Sequence, residues 1–231
     1  MLYPSRKEEI ERSALVLRHE IYDQRRSFWP DREPRGLEVV DPELAAQVLG
    51  IHFEYLQEIA FDIPGTSKRS EIGGLLDRRK GKILVARCFG TEVMRFTAAH
   101  ELGHYRMHDE VVQHRDLPIE GLERDISDPL EREADYFAAC FLMPRGYVGK
   151  QFRARFPSDG PFVCDDAAVH HLRVYSRDSL LYPPPNSLVR EKILARARSY
   201  GGRPFSSLAE HFKVSVATMA IRIRELGLVR A

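Results

Sequence analysis

The stretch Phe96-Thr97-Ala98-Ala99-His100-Glu101-Leu102-Gly103-His104 decides how the rest of the chain is read. On a helix, residues four apart share a face with Cβ atoms about 5–6 Å apart, so the imidazoles of His100 and His104 can reach one metal ion together. Glu101 falls about 100° round the same helix, beside a metal rather than on it, where it can take a proton from activated water. Phe96, Ala98, Ala99, Leu102 and Gly103 are apolar or small, and they predict a buried helix and a site kept dry. A five-residue pattern also recurs by chance on ordinary helices, so the reading needs a third ligand.

Six residues beyond His104 stands Glu110, which excludes the three-histidine arrangement of a metzincin. His108, four beyond His104, splays too far down a straight helix to close a tetrahedron. The other solution is a carboxylate from a second helix, and Glu131-Arg132-Glu133-Ala134-Asp135 supplies it. Glu131 and Asp135, at i and i+4, share a face, so one can bind the metal while the other accepts the free N–H of a ligand histidine and fixes its tautomer. Glu131 is taken as the ligand and Asp135 as the residue behind it. Glu133, two residues along, points elsewhere on a helix and stays the alternative ligand. Two His and one carboxylate suit Zn²⁺, although manganese or iron fits such a set too. Tyr105 and His108 are candidate donors to a developing oxyanion, with His114, His170 and His171 behind them.

Working outward, residues 6–24 repeat apolar positions at helical spacing (Ile10, Ala14, Leu17, Ile21) and predict an amphipathic leading helix. A connector, Ser27 to Gly36, leads to Asp41-Pro42, an N-cap and first helical position for a short helix ending near Gly50. Ile51 to Ile59 is a candidate strand, Pro64-Gly65 a turn, and Ile72 to Leu76 with Lys82 to Cys88 a hairpin. Gly73-Gly74 and Gly201-Gly202 read as turn glycines. Thr91 is expected to cap a helix running to about His108, and Asp128-Pro129 to start another that runs through Met143-Pro144. Residues 145–177 have a weak pattern with a helix over Gly149 to Phe156. Pro183-Pro184-Pro185-Asn186 is the clearest linker, followed by three short helical patterns. The expected domains are a leading segment 1–36, a catalytic domain 37–182 and a helical region 188–231.

Over the whole chain, 231 residues with 43% hydrophobic and 30% charged composition exclude disordered, collagen-like and low-complexity classes. The longest apolar run, Tyr136 to Met143, is far short of the ~18 residues of a membrane helix, so no membrane partner is expected. The opening MLYPSRKEEIERS lacks an apolar h-region and predicts no secretory signal. Cys88, Cys140 and Cys164 form no C-x-x-C pair, which fits a reducing, cytoplasmic setting. Residues 188–231 hold nine Lys or Arg against three Glu, so a basic tail follows an acid-rich body.

At this point the sequence resembles the ImmA/IrrE metallopeptidases. Arg95-Phe96-Thr97 followed by His100-Glu101-Leu102-Gly103-His104 carries the resemblance. So does Glu131-x-Glu133-Ala134-Asp135-x-Phe137-Ala138-Ala139-x-x-Leu142-Met143-Pro144, and together the two motifs are specific. The likeness runs well over roughly residues 37–145 and more loosely beyond. It implies an α+β fold with a gluzincin-like, zincin-type protease domain, in which a small antiparallel sheet packs on the H-E-x-x-H helix, and a helical C-terminal region. It implies Zn²⁺ on His100, His104 and Glu131, with Glu101 as general base. It further implies an intracellular protease whose substrate is a helix-turn-helix repressor, cleaved so that genes of a stress response or mobile element are expressed. The leading helix and the long segment from Gly146 to Ser187 depart from the family pattern and leave the substrate groove unread.

The tail carries the competing reading. Ser206 to Ser215, then Thr218 to Leu226, reads as two helices joined by a tight turn, like a helix-turn-helix. Arg222 and Arg224 are candidate phosphate contacts for DNA. Against this, Val216, Ala217 and Thr218 offer no Arg, Asn or Gln to read bases, and Lys213 stands where such turns commonly have Gly. The alternative function is therefore a DNA-binding regulator whose zinc site is structural or sensory. Glu101 separates the two, because a structural site needs no acid beside an open metal position.

Overall fold

The structure is a computed structural model that describes residues 2–62, 69–109, 114–116 and 128–230. It has an α+β architecture divided into two units, Met1–Leu142 and Met143–Ala231. In the first unit, α1 (Pro4–Asp23) opens with Pro at its first position, where the missing N–H costs nothing. It buries Ile10, Ala14, Leu17 and Ile21, the stripe its periodicity predicts. A short α2 (Arg25–Phe28) occupies the start of the connector. Next, α3 (Pro42–Val48) is capped by Asp41, whose carboxylate accepts from the backbone N–H groups of Glu43 and Leu44 at 2.9 and 3.3 Å. There follow β1 (His52–Leu56), the hairpin of β2 (Ala60–Asp62) and β3 (Arg69–Glu71), then β4 (Gly74–Asp77) and β5 (Lys82–Ala86). The turn expected at Pro64-Gly65 lies outside the described residues.

The helix carrying H-E-x-x-H is α4 (Thr91–Met107). It is followed by β6 (His114–Asp116) and α5 (Pro129–Leu142). Gly90, not Thr91, occupies the cap position of α4, so the helix starts one residue earlier than its sequence suggests. Among the described residues β1, β5, β4 and β6 form a sheet in that order. β4 runs antiparallel to β5, with Gly74 opposite Val85 and Asp77 opposite Lys82, and antiparallel to β6. The sheet is nevertheless mixed rather than purely antiparallel, because β1 pairs parallel with β5. β4 skips the position beside β1, and its hairpin partner β5 fills that gap running in the direction of β1. On this sheet, α4 packs against β4 and β5, α5 packs on α4, and α1 lies on α5. Every residue from Phe96 to His104 is buried, which marks a helix enclosed all round. The leading helix is thus part of this unit rather than a separate segment.

The second unit comprises α6 (Arg145–Arg155), β7 (Phe162–Val163), α7 (Asp166–Leu172), α8 (Arg177–Leu181), α9 (Val189–Arg196), β8 (Ser199–Tyr200), β9 (Arg203–Pro204), α10 (Leu208–Phe212), α11 (Val216–Glu225) and β10 (Val229–Arg230). Its core packs Phe152, Phe156 and Phe162 in tilted and edge-to-face contacts with ring centroids 5.0–6.3 Å apart. The unit boundary falls at Leu142–Met143, not at the prolines. Around Pro183-Pro184-Pro185 the chain turns a corner: Ser187 N–H donates to the Pro184 carbonyl, and α8 packs on α9. Gly201 and Gly202, at φ +57 and +78, make the turn between β8 and β9. Among the described residues no helix is long and apolar enough to cross a membrane.

Candidate metal centre

His100 and His104 are fully buried on α4, one turn apart, and their Nε2 atoms lie 2.9 Å from each other. Glu131, in the first turn of α5, brings Oε2 to 3.2 Å from His100 Nε2 and Oε1 to 3.3 Å from His104 Nε2. One donor atom from each of the three residues lies within 4.8 Å of the others. Two imidazole nitrogens and a carboxylate aimed at one point suit a divalent cation of the Zn²⁺ type, so the residues present fit the metal their pattern implies.

The close approach of α4 and α5 that makes this possible depends on Gly103. A Cβ there would sit 3.0 Å from the backbone Cα and O of Ala134, one turn along α5. The partners behind the histidines also come from α5. Asp135 places Oδ1 2.8 Å from His100 Nδ1, which aims the opposite nitrogen into the site. Glu133 does not join the donor group. Its carboxylate lies 3.1 Å from His108 Nε2 and accepts from Arg6 Nε and Nη2 at 2.9 and 2.5 Å. The Arg6 hydrogen bonds hold the Glu133 carboxyl below the usual carboxylate range.

His108, a candidate oxyanion donor from the sequence, lies behind the ligand histidines. It ends α4, and its Nδ1 sits 3.1 Å from His104 Nδ1, on the edge of that ring opposite the converging nitrogens. Tyr105 is half-buried with the Arg78 guanidinium over its ring, 4.8 Å from the centroid. Arg78 itself ties off the helix end by donating to the carbonyls of His104, Tyr105 and His108. Sequence reasoning missed Arg78, which sits in the turn between β4 and β5 and bears no spacing relation to α4.

Glu101 is fully buried one residue on from His100. The room for its side chain comes from Gly74 on β4. A Cβ on Gly74 would stand 2.5 Å from Glu101 Oε1 and 2.6 Å from Thr97 Cγ2. Gly74 is therefore a strand residue required by a close approach, not a turn glycine.

The C-terminal arginines are occupied within their own unit. Arg222 is 1% exposed, donates from Nε to the Met143 carbonyl and pairs with Glu225. Arg224 pairs with Glu191 and donates to the carbonyls of Asn186 and Ser187. Arg222 thus holds the base of α6 to α11 rather than standing ready for a phosphate, because a guanidinium buried among its own acceptors is not available to a ligand.

Comparison with known proteins bears on both motifs. The family model described as Peptidase_M78, IrrE N-terminal-like domain, matches residues 46–161, about half of the chain and all of the metal-site residues. No curated protein matches the chain.

Proposed function

The chain belongs to the Peptidase_M78, IrrE N-terminal-like family, and from that premise we propose that it is an intracellular zinc-dependent endopeptidase acting on a regulatory protein. The observation that carries the proposal is the convergence of His100, His104 and Glu131 within 4.8 Å, with Glu101 buried next to them on the same helix. Three protein donors leave a coordination position for substrate or water, whereas structural zinc sites close with four. A metal ion held there supplies Lewis-acid polarisation of a carbonyl and acidifies water.

The chain's own residues do the rest. Glu101 accepts the proton of the attacking water and returns it to the leaving amine, a role worth ~10²–10⁴ in rate for a positioned general acid–base. Asp135 keeps His100 in the tautomer that binds metal. The enclosure of α4 by α5 and the sheet excludes bulk water from the reacting groups and strengthens their electrostatics. By resemblance to the ImmA/IrrE proteins, the substrate is a helix-turn-helix repressor whose cleavage releases transcription.

The test compares new protein N-termini in cells expressing wild type or Glu101→Gln. One or a few termini present only with wild type, lying in a DNA-binding regulator, support the reading. Identical profiles from the two cultures, both proteins carrying zinc, count against it and shift weight to a regulator with a non-catalytic metal.

A further inference from the structure

We propose that His108, anchored by Glu133 and through it by Arg6, is a positioning residue for metal binding: it accepts the Nδ1 proton of His104 and so turns the unprotonated Nε2 of His104 towards the metal. The proposal rests on the metal-centre reading above and extends it to His108, Glu133 and Arg6, none of which is in its donor group.

The chain of contacts selects one set of protons. Arg6 donates to Glu133 from Nε and Nη2 at 2.9 and 2.5 Å, so the carboxylate that faces His108 is an acceptor. His108 Nε2, 3.1 Å away from that carboxylate, must then carry a proton, since a bare nitrogen would set lone pair against lone pair. Metal binding at His104 Nε2 requires the His104 proton on Nδ1, so His108, with its own proton on Nε2, presents Nδ1 as the acceptor. That atom lies 3.1 Å from His104 Nδ1, which supplies the matching N–H. His104 is then protonated on Nδ1 and unprotonated on Nε2, which lies 2.9 Å from His100 Nε2 and 3.3 Å from Glu131 Oε1, acceptors whose facing lone pairs a bound cation would satisfy. The opposite assignment would put the proton of His104 on Nε2 and block the ligand.

The two ligand histidines therefore reach carboxylates by different routes. His100 meets Asp135 directly at 2.8 Å, while His104 meets Glu133 through the His108 ring. From little more than one turn of α5, Glu131 faces the Nε2 atoms of His100 and His104, Asp135 the Nδ1 of His100, and Glu133 the Nε2 of His108. Arg6 belongs to α1, so the leading helix is wired to the metal centre.

The experiment is a Zn²⁺ competition titration of the full chain against a chromophoric chelator, for wild type, His108→Phe and His108→Gln. Urea unfolding of the metal-free proteins accompanies it. His108→Phe keeps the ring but offers no acceptor, and its Zn²⁺ affinity should fall about 10–100-fold, the usual cost of losing a partner behind a ligand histidine. His108→Gln retains an amide oxygen that can accept the His104 proton, and it should recover most of that loss. Nitrogen NMR of the zinc-loaded wild type should find His108 protonated on Nε2 and not on Nδ1.

Equal Zn²⁺ affinity for wild type and His108→Phe, or the reverse tautomer in wild type, overturns the proposal. The NMR arm stands even where a variant does not fold. Zinc affinity that depends on His108 in a chain that cleaves nothing would sink the peptidase reading and leave this one intact. Cleavage with zinc affinity indifferent to His108 would do the opposite.

Discussion

Gly74 lies on β4 where any side chain would collide with Glu101 and Thr97, and the collision is with the group that the proposed chemistry needs most. Gly74→Ala should destabilise the fold by about 1–3 kcal/mol, the usual cost of overpacking, and reduce peptide cleavage more than Zn²⁺ binding. Urea unfolding, zinc titration and turnover on the same preparations check this, and equal losses in binding and turnover would count against it. The role of Gly74 was not legible in the sequence, because a Gly-Gly pair looks the same whether it makes a turn or makes room for a residue 27 positions later. The pairs His100 with His104 and Glu131 with Asp135 were legible, since helical spacing determines which side chains of one helix share a face, whereas the choice of Glu131 over Glu133 needed the packing of α5 on α4. Arg6 was not, because a partner 127 residues from Glu133 leaves no local pattern. Cysteine chemistry gives a further residue-scale expectation. Burial pushes the Cys164 thiol up to about 11, so little thiolate exists at neutral pH. Iodoacetamide should therefore modify the exposed Cys88 well before Cys164, as peptide mapping would record.

At the scale of elements, α1 shows how far amphipathic periodicity can be trusted. Ile10, Ala14, Leu17 and Ile21 are fully buried, and α1 packs on the same α5 that carries Glu131. Leu17→Ala should lower unfolding free energy by about 2–5 kcal/mol, measured by urea denaturation. In the second unit, α10 is started by a reciprocal cap: Ser207 Oγ accepts from Glu210 N–H at 3.2 Å, and the Glu210 carboxylate accepts from Ser207 N–H at 2.9 Å. Ser207→Ala should cost about 1 kcal/mol. The Ser207 backbone bond, with Arg198 beside it, lowers the Glu210 pKa from its ordinary 4.5. A carboxyl lowered on folding stabilises above its unfolded pKa, and that contribution disappears as pH falls below 4.5 and on through the folded value. The stability gap between wild type and Glu210→Gln should accordingly close on acidification through that range. Short strands and the direction of β1 were beyond the sequence reading, because two- and three-residue strands carry too little alternation and parallel pairing is decided by which slot a later hairpin fills.

For the whole molecule, the division at Leu142–Met143 overrides the proline-rich signal at 183–185. Proline stiffens a chain, but Arg224 donating to the carbonyls of Asn186 and Ser187 turns that stiffness into a packed corner. The basic charge of residues 188–231 was likewise legible as composition but not as function, since Arg222 and Arg224 are spent on internal acceptors. A metal that binds only the folded chain stabilises it by mass action, about 2.7 kcal/mol at a hundredfold excess over Kd. Melting temperature should therefore rise with added Zn²⁺ and fall back on chelation, and no response would speak against a preformed site.

The most direct measurement is peptide-library cleavage by the purified chain, read by mass spectrometry, for metal-free, Zn²⁺-restored and Glu101→Gln protein, with bound zinc determined on each. Cleavage that returns with Zn²⁺ in wild type and is lost in a Glu101→Gln protein carrying the same zinc is the predicted result. Cleavage that survives in zinc-loaded Glu101→Gln, or that proceeds without metal, would contradict the account.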